Sequence, residues 1–356
     1  MKKIIMTGSG VLLACLLQAG CGVSQDPPPC AENGQLVVVC GVQAAEDLEP
    51  LADGKHLLVA QMSGGAGSSP SGIAEFNLQT DRLRALVPRI EPLPGWGDAA
   101  CRPNPAPIAT HGMHLSRRAD STWQLIVVNH GGRESTEFYQ VVDSVGGGHQ
   151  LIWRGCVVNP EGLAFNDVVA MPEGGFVATM YMELPPRGID FMLSGNVTGY
   201  LMRWTPQAGF RKLPGSEGAV PNGVQFGRNG NEVFYSNFGG KQVVRYDLLS
   251  ERVTGTVAVS FLPDNISLTP QGMLLVTGTP DVAGVRDCSA RRAASCPLEF
   301  IVAAVDPASL SVRHIVEGPP GVIGGGASVT VRIGDMLYIG AYAGDRLVKT
   351  KVPATL

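Results

Sequence analysis

The chain is 356 residues long, enough for one large core or for two ordinary domains. Charged residues make up 16% of it, against roughly 25% in an average globular protein, while 44% is hydrophobic. That apolar content excludes disorder, and 46 Gly with 26 Pro argue for many short strands joined by tight turns; a net charge of −4 with no basic stripe excludes nucleic acid as a partner.

The first segment reads as an export signal over residues 1–20. Lys2 and Lys3 precede the apolar run Ile4–Ala19, and small residues lead into Cys21. The run is too short and wrongly flanked for a membrane-spanning helix. "LQAGC" is similar to a bacterial lipobox, in which Cys21 becomes the lipidated first residue, although Gln18 stands where an aliphatic residue is usual. Cys15 in "LLAC", or an ordinary signal peptide, is the alternative. The expectation is a membrane partner held through lipid on Cys21. Gly22, rather than Asp, after that Cys favours the outer membrane. Residues 21–34 then form a tether and 35–356 the folded unit. Six further cysteines (Cys30, Cys40, Cys101, Cys156, Cys288 and Cys296) suit disulfides in an exported chain. Cys288 and Cys296 bracket "SARRAAS" and Cys30 lies near Cys40, which leaves Cys101 with Cys156; other connectivities stay open. No C-x-x-C pair exists, which argues against a zinc site.

From residue 45 onwards a pattern recurs. It runs through "AEDLEPLADGKHLLVAQ" (45–61), "THGMHLSRRADSTWQLIVVNH" (110–130), "FNDVVAMPEGGFVATMY" (165–181), "PNGVQFGRNGNEVFYSNFGGKQVVRYDL" (221–248), "PDNISLTPQGMLLVTGT" (263–279) and "GGASVTVRIGDMLYIGAYAGDRLVKTKV" (325–352). Each unit opens with a polar or small pair. An apolar strand follows, then a turn rich in Gly, Asp or Asn, then a second apolar strand. Six units at spacings of roughly 40–65 residues predict an all-β fold, a six-bladed β-propeller, and the repeat argues against two β-sandwiches. No stretch shows a sustained helical period with caps. In the second unit a turn and the buried strand Leu125–Val128 separate His111 from His130, so both rings reach one end of a blade.

The opening pairs carry the chemistry. In a propeller the innermost strands line the axis, so equivalent residues converge there. The pairs supply Glu46 and Asp47, His111, Asn166 and Asp167, Asn222, and Asp264 and Asn265. Ca²⁺ takes about six to eight oxygen ligands, and Glu46, Asp264, Asn166, Asn222 and Asn265 offer two charges and three amides. Singly, each pair reads as turn chemistry. Their recurrence at one point of the repeat favours a metal.

The segments "EDLEPL", "HGM", "VVNH", "FNDVVAM", "PNGV" and "PDNIS" stand in the order found in the paraoxonases, which the chain resembles over about residues 40–350. These are calcium-dependent lactonases and arylesterases with a six-bladed propeller; gluconolactonase-like propellers are a more distant resemblance. The resemblance implies two Ca²⁺ ions. A catalytic ion would be held by Glu46, Asn166, Asn222, Asp264 and Asn265. A structural one would be held by Asp47, Asp167 and the backbone carbonyl of Met113. It also implies paired active-site histidines, with His111 as base and His130 as its orienting partner, and a small lactone or ester as substrate. The alternatives are a sugar lactonase with a more polar pocket, or a non-enzymatic ligand-binding surface propeller. No Gly-x-Ser-x-Gly elbow is present, which lowers a serine hydrolase. Two departures stand out. No Cys follows Cys296 to tie the last blade to the N-terminal strand, and Lys349 falls near the expected place. Residues 280–300 are also unlike the family's animal members.

Overall fold

The structure, a computed structural model, describes residues 36–62, 71–171, 174–291, 295–354 and 356. The segments expected to be export signal and tether, with Cys21 and Cys30, lie outside these residues.

Strand β1 (Val37–Cys40) comes first. Blade 1 follows as β2 (Ala45–Pro50), β3 (His56–Gln61), β4 (Gly72–Asn77) and β5 (Arg82–Ala85). Blade 2 holds β6 (Arg89–Ile90), β7 (Thr110–Arg117), β8 (Trp123–Asn129), β9 (Ser135–Asp143) and β10 (His149–Val158). Blade 3 is β11 (Leu163–Ala170), β12 (Phe176–Glu183), β13 (Tyr200–Thr205) and β14 (Gly209–Lys212), with helix α1 (Ile189–Met192) after β12. Blade 4 is β15 (Pro221–Phe226), β16 (Glu232–Asn237), β17 (Gln242–Asp247) and β18 (Arg252–Ala258). Blade 5 is β19 (Leu262–Leu268), β20 (Leu274–Thr279), β21 (Phe300–Val305) and β22 (Val312–Gly318), with helix α2 (Val282–Arg291) after β20. Blade 6 is β23 (Ala327–Ile333), β24 (Met336–Ala341) and β25 (Arg346–Lys351). These sheets form a six-bladed β-propeller.

The apolar runs follow from the ring. A blade packs on a neighbour through each face, so successive residues of its middle strands are both buried. Ile126 of β8 packs towards Phe176 of blade 3, while Val127 packs towards Leu58 of blade 1. Phe234 and Tyr235 of β16 divide in the same way between blades 5 and 3. The outermost strands β5, β14, β18 and β22 carry charge instead, which blunts their open edges.

The ring is closed by hydrogen bonds. β1 pairs antiparallel with β25 as the outer strand of blade 6, Val37 opposite Lys349 and Cys40 opposite Arg346. Lys349 Nζ also meets Asp81 Oδ2 of blade 1 at 2.5 Å. Disulfides join Cys101 to Cys156 and Cys288 to Cys296, as expected; the partner expected for Cys40, Cys30, lies outside the described residues. They suit an oxidising, exported setting. No described helix is long and apolar enough to cross a membrane. Two local expectations change. The residues after His111 are strand β7, not turn, and the turn is confined to the link before β8. Residues 282–291 are helical despite Gly284, because α2 is fixed by packing and a disulfide rather than by helical periodicity.

Candidate active site and metal centre

Every innermost strand breaks register at its opening pair. The shifts fall between Ala45 and Asp47, Thr110 and Met113, Phe165 and Val168, Pro221 and Val224, Pro263 and Ile266, and Ala327 and Val329. A bulge of this kind releases residues from the ladder and re-aims them. The released residues include Glu46, His111, Asn166, Asn222, Asp264, Asn265 and Ser328. Two glycines permit the approach of the next strand. A Cβ on Gly112 would lie 2.2 Å from Asp167 Oδ1, and one on Gly223 would lie 2.4 Å from the Asn265 Cα.

All five predicted ligands of the first cation meet at one end of the axis. Asn265 Nδ2 donates to Glu46 Oε1 at 2.8 Å and to the Glu46 carbonyl at 3.1 Å, and Ser328 Oγ donates to that carbonyl at 2.6 Å. Asn222 hydrogen-bonds Asp264. Glu46, Asn166, Asn222 and Asp264 line one cavity with His111. Burial, with Asp47, Asp264 and Asp167 nearby, raises the Glu46 carboxyl well above its usual range; burial pushes Asp264 up to about 8. Among the described residues, Glu46 Oε2, Asn166 Oδ1, Asn222 Oδ1 and Asn265 Oδ1 are buried acceptors without a donor. One orphaned buried acceptor costs about 1–3 kcal/mol. Three amide oxygens and two buried carboxylates form a donor set that fits a hard dication of the calcium class.

Asp47 and Asp167 sit one layer deeper. Asp47 accepts from the amides of Leu48 (2.8 Å) and Met113 (2.7 Å), and Asp167 from those of Val168 (2.7 Å) and Val224 (2.7 Å). Each carboxylate therefore couples its inner strand to that of the next blade. Met113 meets Asp47 through its N–H. Burial raises the Asp47 carboxyl to about 7 and raises Asp167 well above its usual range. Both line a chamber of about 70 Å³ with Met113, distinct from the larger cavity.

The two histidines come together because the β7–β8 hairpin pairs Thr110 with Asn129, the neighbours of His111 and His130. His111 Nδ1 lies 2.9 Å from His130 Nε2, and His130 Nδ1 lies 2.7 Å from Glu134 Oε2. The carboxylate fixes the tautomers. His130 donates from Nδ1 to Glu134 and accepts at Nε2 from His111 Nδ1–H, which leaves the lone pair of His111 on Nε2. That nitrogen faces Asn166 Nδ2 at 3.2 Å and Glu46 Oε1 at 3.8 Å. Burial, then the neighbouring His130, lowers the His111 pKa well below its usual value. The ring is therefore neutral and able to accept a proton. Tyr181 sets its ring edge-on to both histidines, with centroids 5.9 and 6.5 Å away. Sequence reasoning missed Glu134 and Tyr181. A carboxylate four residues after a strand-end histidine was the available signal for Glu134; nothing marked Tyr181.

The cavity above this floor measures about 500 Å³. Its walls are apolar: Met62, Met182, Ile189, Met192, Phe238 and Val285 among them. α1 and α2 roof it, joined by Arg286 Nε to Asp190 Oδ1 at 2.7 Å, and the Cys288–Cys296 disulfide lies in the wall. A separate cluster, Asp53, His56 and His149, also has the composition to hold a metal ion.

No family model and no curated protein sequence matches the chain. Its fold is similar to that of solved propellers. A luciferin-regenerating enzyme aligns over 90% of this chain and 96% of its own at 12% identity, with a TM-score of 0.54. A provisionally assigned gluconolactonase aligns over 89% and 92% at 15% identity, TM-score 0.50. A streptogramin B lyase aligns over 89% and 97% at 8% identity, TM-score 0.50. At such identities the likeness is one of fold, and chemistry has to be argued from the site.

Proposed function

We propose that the protein is a calcium-dependent hydrolase of lipophilic lactones and aryl esters, a paraoxonase-like activity. One observation carries this reading: orphaned oxygen donors from four blades converge beside a histidine nitrogen that faces the same cavity. Glu46, Asn166, Asn222, Asp264 and Asn265 would hold the cation. When bound, it polarises the substrate carbonyl and stabilises the oxyanion that forms on it. His111 Nε2 takes a proton from water as the oxygen adds to the carbonyl carbon, and returns it to the departing alkoxide. His130 and Glu134 stabilise the resulting imidazolium and hold its ring in place. Asp47 and Asp167 would hold a second, structural Ca²⁺ beside Met113.

The cavity walls support a lipophilic substrate. An aliphatic or aryl group lies well against methionine and phenylalanine, whereas sugar hydroxyls there would lose their water partners at a cost of roughly 1–3 kcal/mol each. The test is a panel of alkyl lactones of increasing chain length, aryl esters and aldonolactones, each with and without calcium chelation. Chelator-sensitive hydrolysis whose kcat/KM rises with chain length is expected. Calcium-loaded protein inert to the whole panel overturns the proposal and leaves a ligand-binding propeller.

A further inference from the structure

Ligand-type side chains also gather on the opposite face of the propeller, where the proposed hydrolysis does not reach. His56 opens β3 and pairs with Asn77, the last residue of β4; His149 opens β10 and pairs with Asp143, the last of β9. These are the strand ends remote from the histidine pair, since the far end of β3, Gln61, pairs with Ala45 beside Glu46. Glu75 of β4 lies between the two rings and is 4% exposed.

Both rings present a nitrogen to Glu75, one to each carboxylate oxygen. His56 Nε2 stands 3.6 Å from Glu75 Oε1, and His149 Nδ1 stands 3.3 Å from Glu75 Oε2. A tetrahedral zinc ion with bonds of about 2.0–2.2 Å sets its donors roughly 3.3–3.6 Å apart. The tautomers agree. Asn77 Oδ1 accepts from the amides of Gln79 and Thr80 and from the Thr80 hydroxyl, so its NH₂ faces His56 Nε2, at 2.9 Å. His56 therefore carries its lone pair on Nε2 and its proton on Nδ1, where Asp53 Oδ2 accepts it at 2.6 Å. A carboxylate on the far nitrogen is the usual support of a metal-bound histidine. His149 Nδ1 is buried without a hydrogen-bond partner, in a residue only 8% exposed. Its other nitrogen, Nε2, faces Asp143 at 3.6 Å, beyond hydrogen-bond range. A cation would give the buried Nδ1 the partner it lacks. Arg84, 3.1 Å from Glu75 Oε2, offsets part of the surrounding negative charge.

We propose that the cluster of His56, His149, Asp53 and Glu75 binds a first-row transition-metal dication of the zinc class through its two imidazoles. The ion takes the lone pair that Asn77 now shares and clips blade 1 to blade 2. Cysteine spacing argued against zinc, but these donors are imidazole and carboxylate. The inference is independent of the proposed hydrolysis. Full-length protein saturated with Ca²⁺ should bind one equivalent of Co²⁺ with the visible spectrum of a low-coordinate site, and Zn²⁺ should displace it. Zn²⁺ at about a hundredfold over its dissociation constant should raise Tm by roughly 4 °C. His149→Gln and Glu75→Gln should each weaken Co²⁺ binding at least about tenfold. Asn222→Ala should keep the Co²⁺ equivalent while losing Ca²⁺, which separates this site from the axial one. No Co²⁺ equivalent in the wild type overturns the proposal without recourse to any variant. A Co²⁺ equivalent untouched by both His149→Gln and Glu75→Gln overturns it as well.

Discussion

Glu134, His130 and His111 form one hydrogen-bonded line, and its far end is a neutral imidazole nitrogen beside the Asn166 amide. In such a line each member sets the protonation of the next, so substitutions should not add. His111→Gln is expected to lower lactone hydrolysis at least tenfold, within the roughly 10²–10⁴-fold typical of general base catalysis, with calcium content and folding intact. His130→Gln and Glu134→Gln should cost less, because each acts through its neighbour. The double variant at 111 and 130 should be little worse than His111→Gln alone. Steady-state kinetics on one lactone, paired with metal analysis, checks the series. Full activity of His111→Gln on every substrate of the parent removes the dyad from the chemistry and leaves it to the carboxylates Glu46 and Asp264. The pair was expected from the family resemblance, and the β7–β8 hairpin supplies the physical reason, since it sets the start of one strand beside the end of the next. Glu134 was not singled out, because nothing in a strand-and-turn pattern shows that the residues after His130 fold its carboxylate back onto the ring.

At the scale of the strand, the bulge is the device that builds the site. A regular ladder would place the two residues of an opening pair on opposite faces of the blade; the register shift frees both for the axis. Gly223 is needed because β19 passes so close that a Cβ there would overlap the backbone of Asn265. Gly223→Ala should therefore displace a proposed cation ligand and destabilise the fold by about 1–3 kcal/mol. Calcium titration and denaturant unfolding measure the two effects; unchanged values for both would show that β19 yields without consequence. The recurrence of polar pairs before apolar strands was visible in sequence, and the structure brings Glu46, His111, Asn166, Asn222 and Asp264 to one cavity. The bulges that make them converge left no separate signal, because one extra residue in a strand looks like any irregular alternation. The short strand β6 and helix α2 escaped for a similar reason. Each is held by tertiary contacts, β6 along β10 and α2 by packing and Cys288–Cys296, and neither has a period of its own.

Across the whole molecule, six units were visible in sequence because every blade needs apolar residues on both faces of its middle strands. The closure was only half visible: β1 has no repeat partner of its own and completes blade 6 by pairing with β25. The lipid anchor expected on Cys21 lies outside the described residues, and its test is cellular. Cys21→Ser should release the protein to a soluble fraction, and persistent partition with membranes after alkaline washing would count against lipidation.

A ring whose closure rests on one strand pair gains from a tie at its axis. The proposed first cation draws ligands from β2, β11, β15 and β19, so its binding energy is shared by blades 1, 3, 4 and 5 at once. Without it, burial leaves Glu46 and Asp264 reluctant to ionise and four acceptors unpaired. Calcium at about a hundredfold over its dissociation constant adds roughly 2.7 kcal/mol to folding stability. For a propeller of this size that corresponds to a Tm shift of about 4 °C, since an unfolding entropy of roughly 2.1 cal/mol/K per residue amounts to about 0.67 kcal/mol per degree. Calorimetry with and without a calcium-selective chelator should show that drop in a single cooperative transition, because ligands from four blades must be lost together. A calcium-free preparation with the same Tm as the loaded protein would mean that the axial oxygens are satisfied by water, and the metal reading of both the site and the ring would fall with it.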